Sequence, residues 1–87
     1  MENISSMGVI TLYVLEGTKR RYVGITADLP RRLREHRIGS HSGKLIGEFR
    51  VLLTESFPDY IAARNREKFL KSGVGRAWLE EHFPRVR

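Results

Sequence analysis

The run Gly8-Val9-Ile10-Thr11-Leu12-Tyr13-Val14-Leu15 is rich in β-branched and aromatic residues, stops at Glu16-Gly17-Thr18, and is followed by a second short run, Arg21-Tyr22-Val23-Gly24-Ile25. Side chains of this kind pack well on a pleated surface, so the pattern predicts two strands joined by a turn. Polar residues then return. Asp28 stands where a helix N-cap belongs, with Pro30 in the first turn, and the predicted helix runs from Leu29 through Leu33 until Gly39 stops it. The small, polar stretch from Ser40 to Gly47 reads as a loop, and Phe49 to Thr54 as a third strand. Pro58-Asp59 opens a second helix with an apolar arc of Ile61, Ala62, Ala63, Phe69 and Leu70, ended by Ser72-Gly73. Gly75 to His82 reads as a short closing helix whose Trp78 is expected in the core. Arg66 interrupts the arc between Ala62 and Leu70, which predicts a packed stem with its head reaching an acid or a carbonyl.

Strands that come before and between helices, in a chain too short for several parallel crossovers, predict an α/β (α+β) sandwich. Its sheet is small, three-stranded and largely antiparallel, flanked by helices. No internal repeat, low-complexity tract or linker interrupts the 87 residues. The expected organisation is a short leader over residues 1–8, one domain over 9–83 and a tail over 84–87. A chain of this size buries only about 60 to 65% of its unfolded surface, so the core is modest.

Composition narrows the chemistry. With no cysteine, disulfides, zinc-thiolate sites and thiol nucleophiles are excluded. No apolar run approaches the roughly 20 residues that span a bilayer, and the first residues lack a signal peptide's basic and apolar regions. A cytoplasmic protein with no membrane association is expected. The net charge is +6, and its distribution is uneven: residues 19–37 hold seven basic residues against two acids, and residues 64–76 hold five against one. Clustered cations bind a phosphate backbone by releasing condensed counterions, which makes nucleic acid the leading partner and solubility the plain alternative. Both basic windows are expected to form one continuous face, because both predicted helices pack on the same small sheet.

Leu12-Tyr13-Val14, followed nine residues after its tyrosine by Tyr22-Val23-Gly24, resembles the paired motifs that name the GIY-YIG nuclease family. Asp28 to His36 is similar to the family's first helix, and Arg66-Glu67-Lys68-Phe69-Leu70-Lys71-Ser72-Gly73 to its glutamate-bearing helix. The four motifs occur in order and cover most of the chain. The chain resembles a small stand-alone, single-domain member of that family, similar to the nuclease domain at the N-terminus of the bacterial excision-repair endonuclease.

The resemblance implies a role for each matching residue. Glu67 matches the carboxylate that holds a single Mg2+ or Mn2+, and a hard ion that keeps several waters can be held by one carboxylate. Its plain alternative is a surface glutamate paired with Lys71 at i+4. Arg32 matches the arginine that contacts the scissile phosphate, a task that suits a planar, permanently charged fork. His36 lies one turn beyond Arg32, on the same face. Tyr13 and Tyr22 match the motif tyrosines, one activating water and the other orienting water or phosphate. Tyr13 is the favoured base. A phenol titrates near pH 10, so the anion needs neighbouring positive charge. Arg31, Arg34, Lys44, Lys68 and Lys71 are the candidate outer contacts to nucleic acid, and His41 in the same loop as Lys44 reads as solvated.

Three departures from the family pattern bear on these roles. Thr11-Leu12-Tyr13 replaces Gly-Ile-Tyr, Ile25 stands where some relatives have lysine, and no asparagine follows Asn65. The expectation is a metal-dependent endonuclease of low sequence specificity, a monomer or weak dimer acting on structured or nonspecific DNA and open to a recruiting protein. The alternatives are a catalytically silent DNA-binding module of the same fold and a small basic RNA-binding protein.

Overall fold

A computed structural model describes residues 9–38 and 48–85. The chain forms β1 (Ile10–Gly17), β2 (Arg21–Thr26), α1 (Leu29–Arg37), β3 (Phe49–Phe57), α2 (Tyr60–Lys71) and α3 (Gly73–His82). The three strands make a wholly antiparallel sheet in the order β2-β1-β3. The fold is therefore the α+β sandwich predicted from the pattern of strands and helices.

β1 takes the centre because it can bury both of its faces. Ile10, Leu12, Tyr13, Val14 and Leu15 are all buried, and an apolar run without alternation is what a strand covered on two sides requires. Below one face, Leu12 and Val14 of β1 and Val23 of β2 pack on Leu70 and Leu79 from α2 and α3. On the other, Tyr13 and Leu15 pack with Tyr22, Leu29, Leu33 and Phe49, under α1. The helices thus divide, with α1 on one side of the sheet and the α2–α3 pair on the other.

Pairing sets the strand ends differently from composition. β1 continues through Glu16 and Gly17 because these residues pair with β2 and β3, and β3 extends past Thr54 to Phe57, opposite Ile10. A register shift at Val14 and Leu15 leaves Leu52 as the extra residue of a bulge in β3.

Local chemistry fixes the helix ends. The Asp28 carboxylate accepts from the Arg31 amide at 3.2 Å, and the Asp59 carboxylate accepts from Ala62 at 2.9 Å. α1 gives way at Ile38. Gly39, its expected stop, and the leader over residues 1–8 lie outside the described residues. Ser72 serves two helices at once: its hydroxyl donates to the Phe69 carbonyl at 2.6 Å and accepts from the Gly75 amide at 3.1 Å. α3 starts at Gly73, ahead of the expected Gly75, because Ser72 caps it there. A Cβ at Gly75 would fall 1.8 Å from the Phe69 carbonyl oxygen, so the elbow between α2 and α3 closes only on glycine.

Arg66 behaves as its place in the apolar arc predicts. Its guanidinium makes a two-point bond to Glu55 on β3, at 3.0 and 3.2 Å, and lies over the rings of Phe69 and Trp78 at 5.2 and 4.9 Å. Trp78 is only partly buried, contrary to the expected core position. It packs against the edge of the core between Arg66 and His82, with its ring stacked on the imidazole at 4.1 Å. Among the described residues, no helix is long and apolar enough to cross a membrane.

Candidate active site

Tyr13 sits at the middle of the central strand, directly opposite Gly24 of β2. A Cβ at Gly24 would come within 2.6 Å of the Tyr13 hydroxyl and 3.0 Å of the Tyr22 ring. The glycine of Tyr22-Val23-Gly24 is therefore the gap through which the Tyr13 phenol crosses β2.

α1 lays Arg32 and His36 over that phenol, one turn apart on one face. Arg32 Nε stands 3.3 Å from the Tyr13 hydroxyl, and its Nη1 donates to Glu35 Oε1 at 2.9 Å. His36 Nε2 stands 3.2 Å from the same hydroxyl. The Tyr22 ring completes the group, its centroid 5.0 Å from that of His36 and 6.1 Å from that of Tyr13. Four of the sequence-predicted site residues are thus in mutual contact.

Their protonation follows from burial and from Arg32. Burial pushes the Tyr13 phenol up to about 12, outweighing the Arg32 hydrogen bond that pulls it down. His36 is lowered, first by burial and then by repulsion from Arg32. Arg32 is held charged above its already high ordinary value, chiefly by Glu35, with the Tyr13 and Tyr22 phenols adding to the effect. The Glu35 carboxyl is lowered in turn, mainly by its bond to Arg32.

At neutral pH the group is therefore a guanidinium, a phenol and a neutral imidazole. Arg32 can only donate, so the Tyr13 oxygen accepts from it, and the phenol hydrogen is available to His36 Nε2. His36 Nδ1 is buried and has no hydrogen-bond partner among the described residues.

Glu67 is not part of this group. It lies on α2, and among the described residues it pairs with Arg64 at 3.6 Å and with Lys71 at 3.0 Å, the latter a lining residue of the same cleft as Tyr22. Its side chain is nevertheless only 14% exposed, so it is not a freely solvated glutamate. No cluster of three metal-ligating side chains occurs among the described residues. A single, largely covered carboxylate fits a hard divalent ion that draws its other ligands from water and substrate oxygen, and it does not fit an all-protein cage.

The candidate outer contacts divide as well. Arg31 is bound to Glu35 at 2.9 Å and to Asp28 at 3.6 Å, Arg34 and Lys68 are exposed, and Lys71 holds Glu67. Lys44 and His41 lie outside the described residues. Although α1 and α2 cover opposite faces of the sheet, the two basic windows meet at the β2 edge, where Lys19 and Arg20 of the first and Lys71 and Arg76 of the second line one cleft; the arginines of α1 are not part of that lining. Helical periodicity identifies each buried stripe without saying which side of the sheet it meets.

Two contributors to the site are not among the sequence-predicted residues. Glu35 joins Arg31 and Arg32, and its spacing of four and three residues from them is a signal that could have found it. Gly24 carries no local signal of its role, since the phenol it admits belongs to a different strand.

A model of the GIY-YIG catalytic domain matches residues 10–80, most of the chain, and the chain belongs to the GIY-YIG family. No curated protein and no solved structure matches it.

Proposed function

We propose that this chain is a metal-dependent endonuclease that hydrolyses phosphodiester bonds of DNA with low sequence specificity. The observation that carries the reading is the hydrogen-bonded series Arg32, Tyr13 and His36, set beside Tyr22 in a GIY-YIG domain.

A buried phenol near 12 is a poor base by itself, but one that can pass its own proton onward needs no phenolate in the resting state. As water attacks phosphorus, Tyr13 takes the water's proton and hands its own to His36 Nε2, while the P–O ester bond breaks and the departing oxygen takes its proton from solvent. Arg32 has Nε on Tyr13 and Nη1 on Glu35, which leaves Nη2 to donate to a phosphate oxygen as charge develops. Tyr22 orients water or phosphate. Glu67 would hold Mg2+ or Mn2+, whose charge would offset that of the phosphate oxygens.

The proposal extends to a cytoplasmic monomer or weak dimer working in DNA repair, akin to the excision-repair nuclease domain, with a recruiting protein supplying specificity. A second reading, the catalytically silent DNA-binding module, draws on the pairing of Glu67 with Lys71 rather than with the Tyr13 group.

Glu67→Gln separates the two readings. With supercoiled DNA and Mg2+ or Mn2+, the wild type is expected to nick and the variant to leave the DNA intact, while metal-free DNA affinity stays equal or rises slightly. Nicking by the variant at the wild-type rate would remove Glu67 from the mechanism. Tight binding by the wild type without any metal-dependent nicking would favour the silent module.

A further inference from the structure

We propose that the groove along the outer edge of β2 is a track for the sugar-phosphate backbone of one nucleic-acid strand, leading it to Tyr22. The destination rests on the nuclease reading; the binding itself does not.

The groove has a volume of about 740 Å³ and lies between the β1–β2 turn, the exposed edge of β2, the end of α2 and the face of α3. Among the described residues β2 has β1 as its only neighbour in the sheet, so its outer edge keeps backbone N–H groups without a ladder partner there. Backbone amides and basic side chains are what nucleic-acid backbones contact most.

Lys19 and Arg20 line it from the β1–β2 turn and Arg76 from α3. All three are exposed and make no ion pair with another described residue. The remaining arginines of the groove are paired. Arg21 is committed to Glu16, Glu80 and the Phe83 carbonyl, and Arg85 to Glu16. Glu80 is the only acid in the lining, and Arg21 answers its charge.

Tyr22 decides the kind of anion. It lines this groove and also touches the His36 ring, so it is the one side chain shared by the groove and the candidate active site. A small anion would need a closed nest, whereas this cleft is open to solvent, with exposed cations from two separate elements and an aromatic ring in its lining. That arrangement suits a polyanion with a stackable base.

The test is metal-free anisotropy of a fluorescein-labelled single strand and of its duplex across a salt series. The variants are the triple Lys19→Ala, Arg20→Ala, Arg76→Ala and, as a control outside the groove, Arg37→Ala with Arg50→Ala. Each lost phosphate contact flattens the slope of log K against log salt by about 0.7 to 0.9. The triple is expected to lose about two to three units and the control less than one. Should the triple melt early, the single Arg76→Glu is expected to flatten the slope by about one unit on its own.

A triple variant with the wild-type slope would overturn the track, and so would polyglutamate that displaces DNA as well as equal charge of DNA does. The nuclease reading fails separately. A groove-dependent slope without metal-dependent cutting would leave the track standing and remove the chemistry, and cutting with an unchanged slope would do the reverse.

Discussion

His36 is a buried imidazole beside a permanent cation, and both push it toward the neutral form. An unfolded histidine takes up its proton near pH 6.5, whereas the folded one resists to lower pH. Above about pH 6.5 both states are neutral, and this residue makes stability independent of pH. As pH falls below that value only the unfolded chain gains the proton, so stability is lost toward the folded pKa. Melting temperatures from pH 7.5 to pH 5 should therefore fall more steeply for the wild type than for His36→Gln. Parallel curves would show that His36 titrates as if exposed. Arg32 offers a second test at this scale. Lysine keeps its charge but lacks the planar fork that lets Arg32 reach Tyr13 and Glu35 with separate nitrogens and leave a third for phosphate, whereas Arg34 is exposed. Losing a preorganised donor typically costs about 10² to 10³ in rate. Turnover at saturating DNA should be lower for Arg32→Lys than for Arg34→Lys by at least about tenfold, roughly 1.4 kcal/mol of barrier. Equal turnover would reduce Arg32 to general attraction. The pairing of Arg32 with His36 was legible because four residues is one helical turn. The elevated Tyr13 pKa was not, since it depends on how deeply the sheet and α1 bury the phenol.

β1 and β2 meet most closely where Gly24 faces Tyr13. An alanine there must displace the hydroxyl that Arg32 and His36 both hold, and a rigid ring has little room to yield. Gly24→Ala is expected to cost about 1 to 3 kcal/mol of stability, the usual range for overpacking. Its cutting activity should fall well beyond that loss, even at temperatures where the variant remains folded. Full activity in a folded variant would mean that the phenol's position is not critical. Capping shows why some of this level can be read in advance: Asp28 and Asp59 act on amides three residues away, so their signal is local. The bulge at Leu52 and the length of β3 depend on a partner strand distant in sequence, and composition carries no trace of them. The same holds for Glu16, which gathers Arg21, Arg50 and Arg85 from three separate parts of the chain.

At the level of the molecule, a sheet with helices on both sides keeps α1 and α2 from sharing a surface, and Tyr22 at the β2 edge lies between the two halves. The order β2-β1-β3 also governs how the molecule comes together in time. β1 and β2 are joined by a turn over residues 18–20, whereas β3 reaches β1 only after residues 18–48 have been gathered into a loop. Closing the longer loop costs more chain entropy before any pairing rewards it, so the first hairpin should assemble early and β3 dock late. Val23→Ala in β2 is then expected to slow refolding, and Leu53→Ala in β3 mainly to hasten unfolding, both measurable by stopped-flow fluorescence of Trp78. If refolding slows as much for Leu53→Ala as for Val23→Ala, the far strand is already in place at the barrier, and the whole sheet forms in one step.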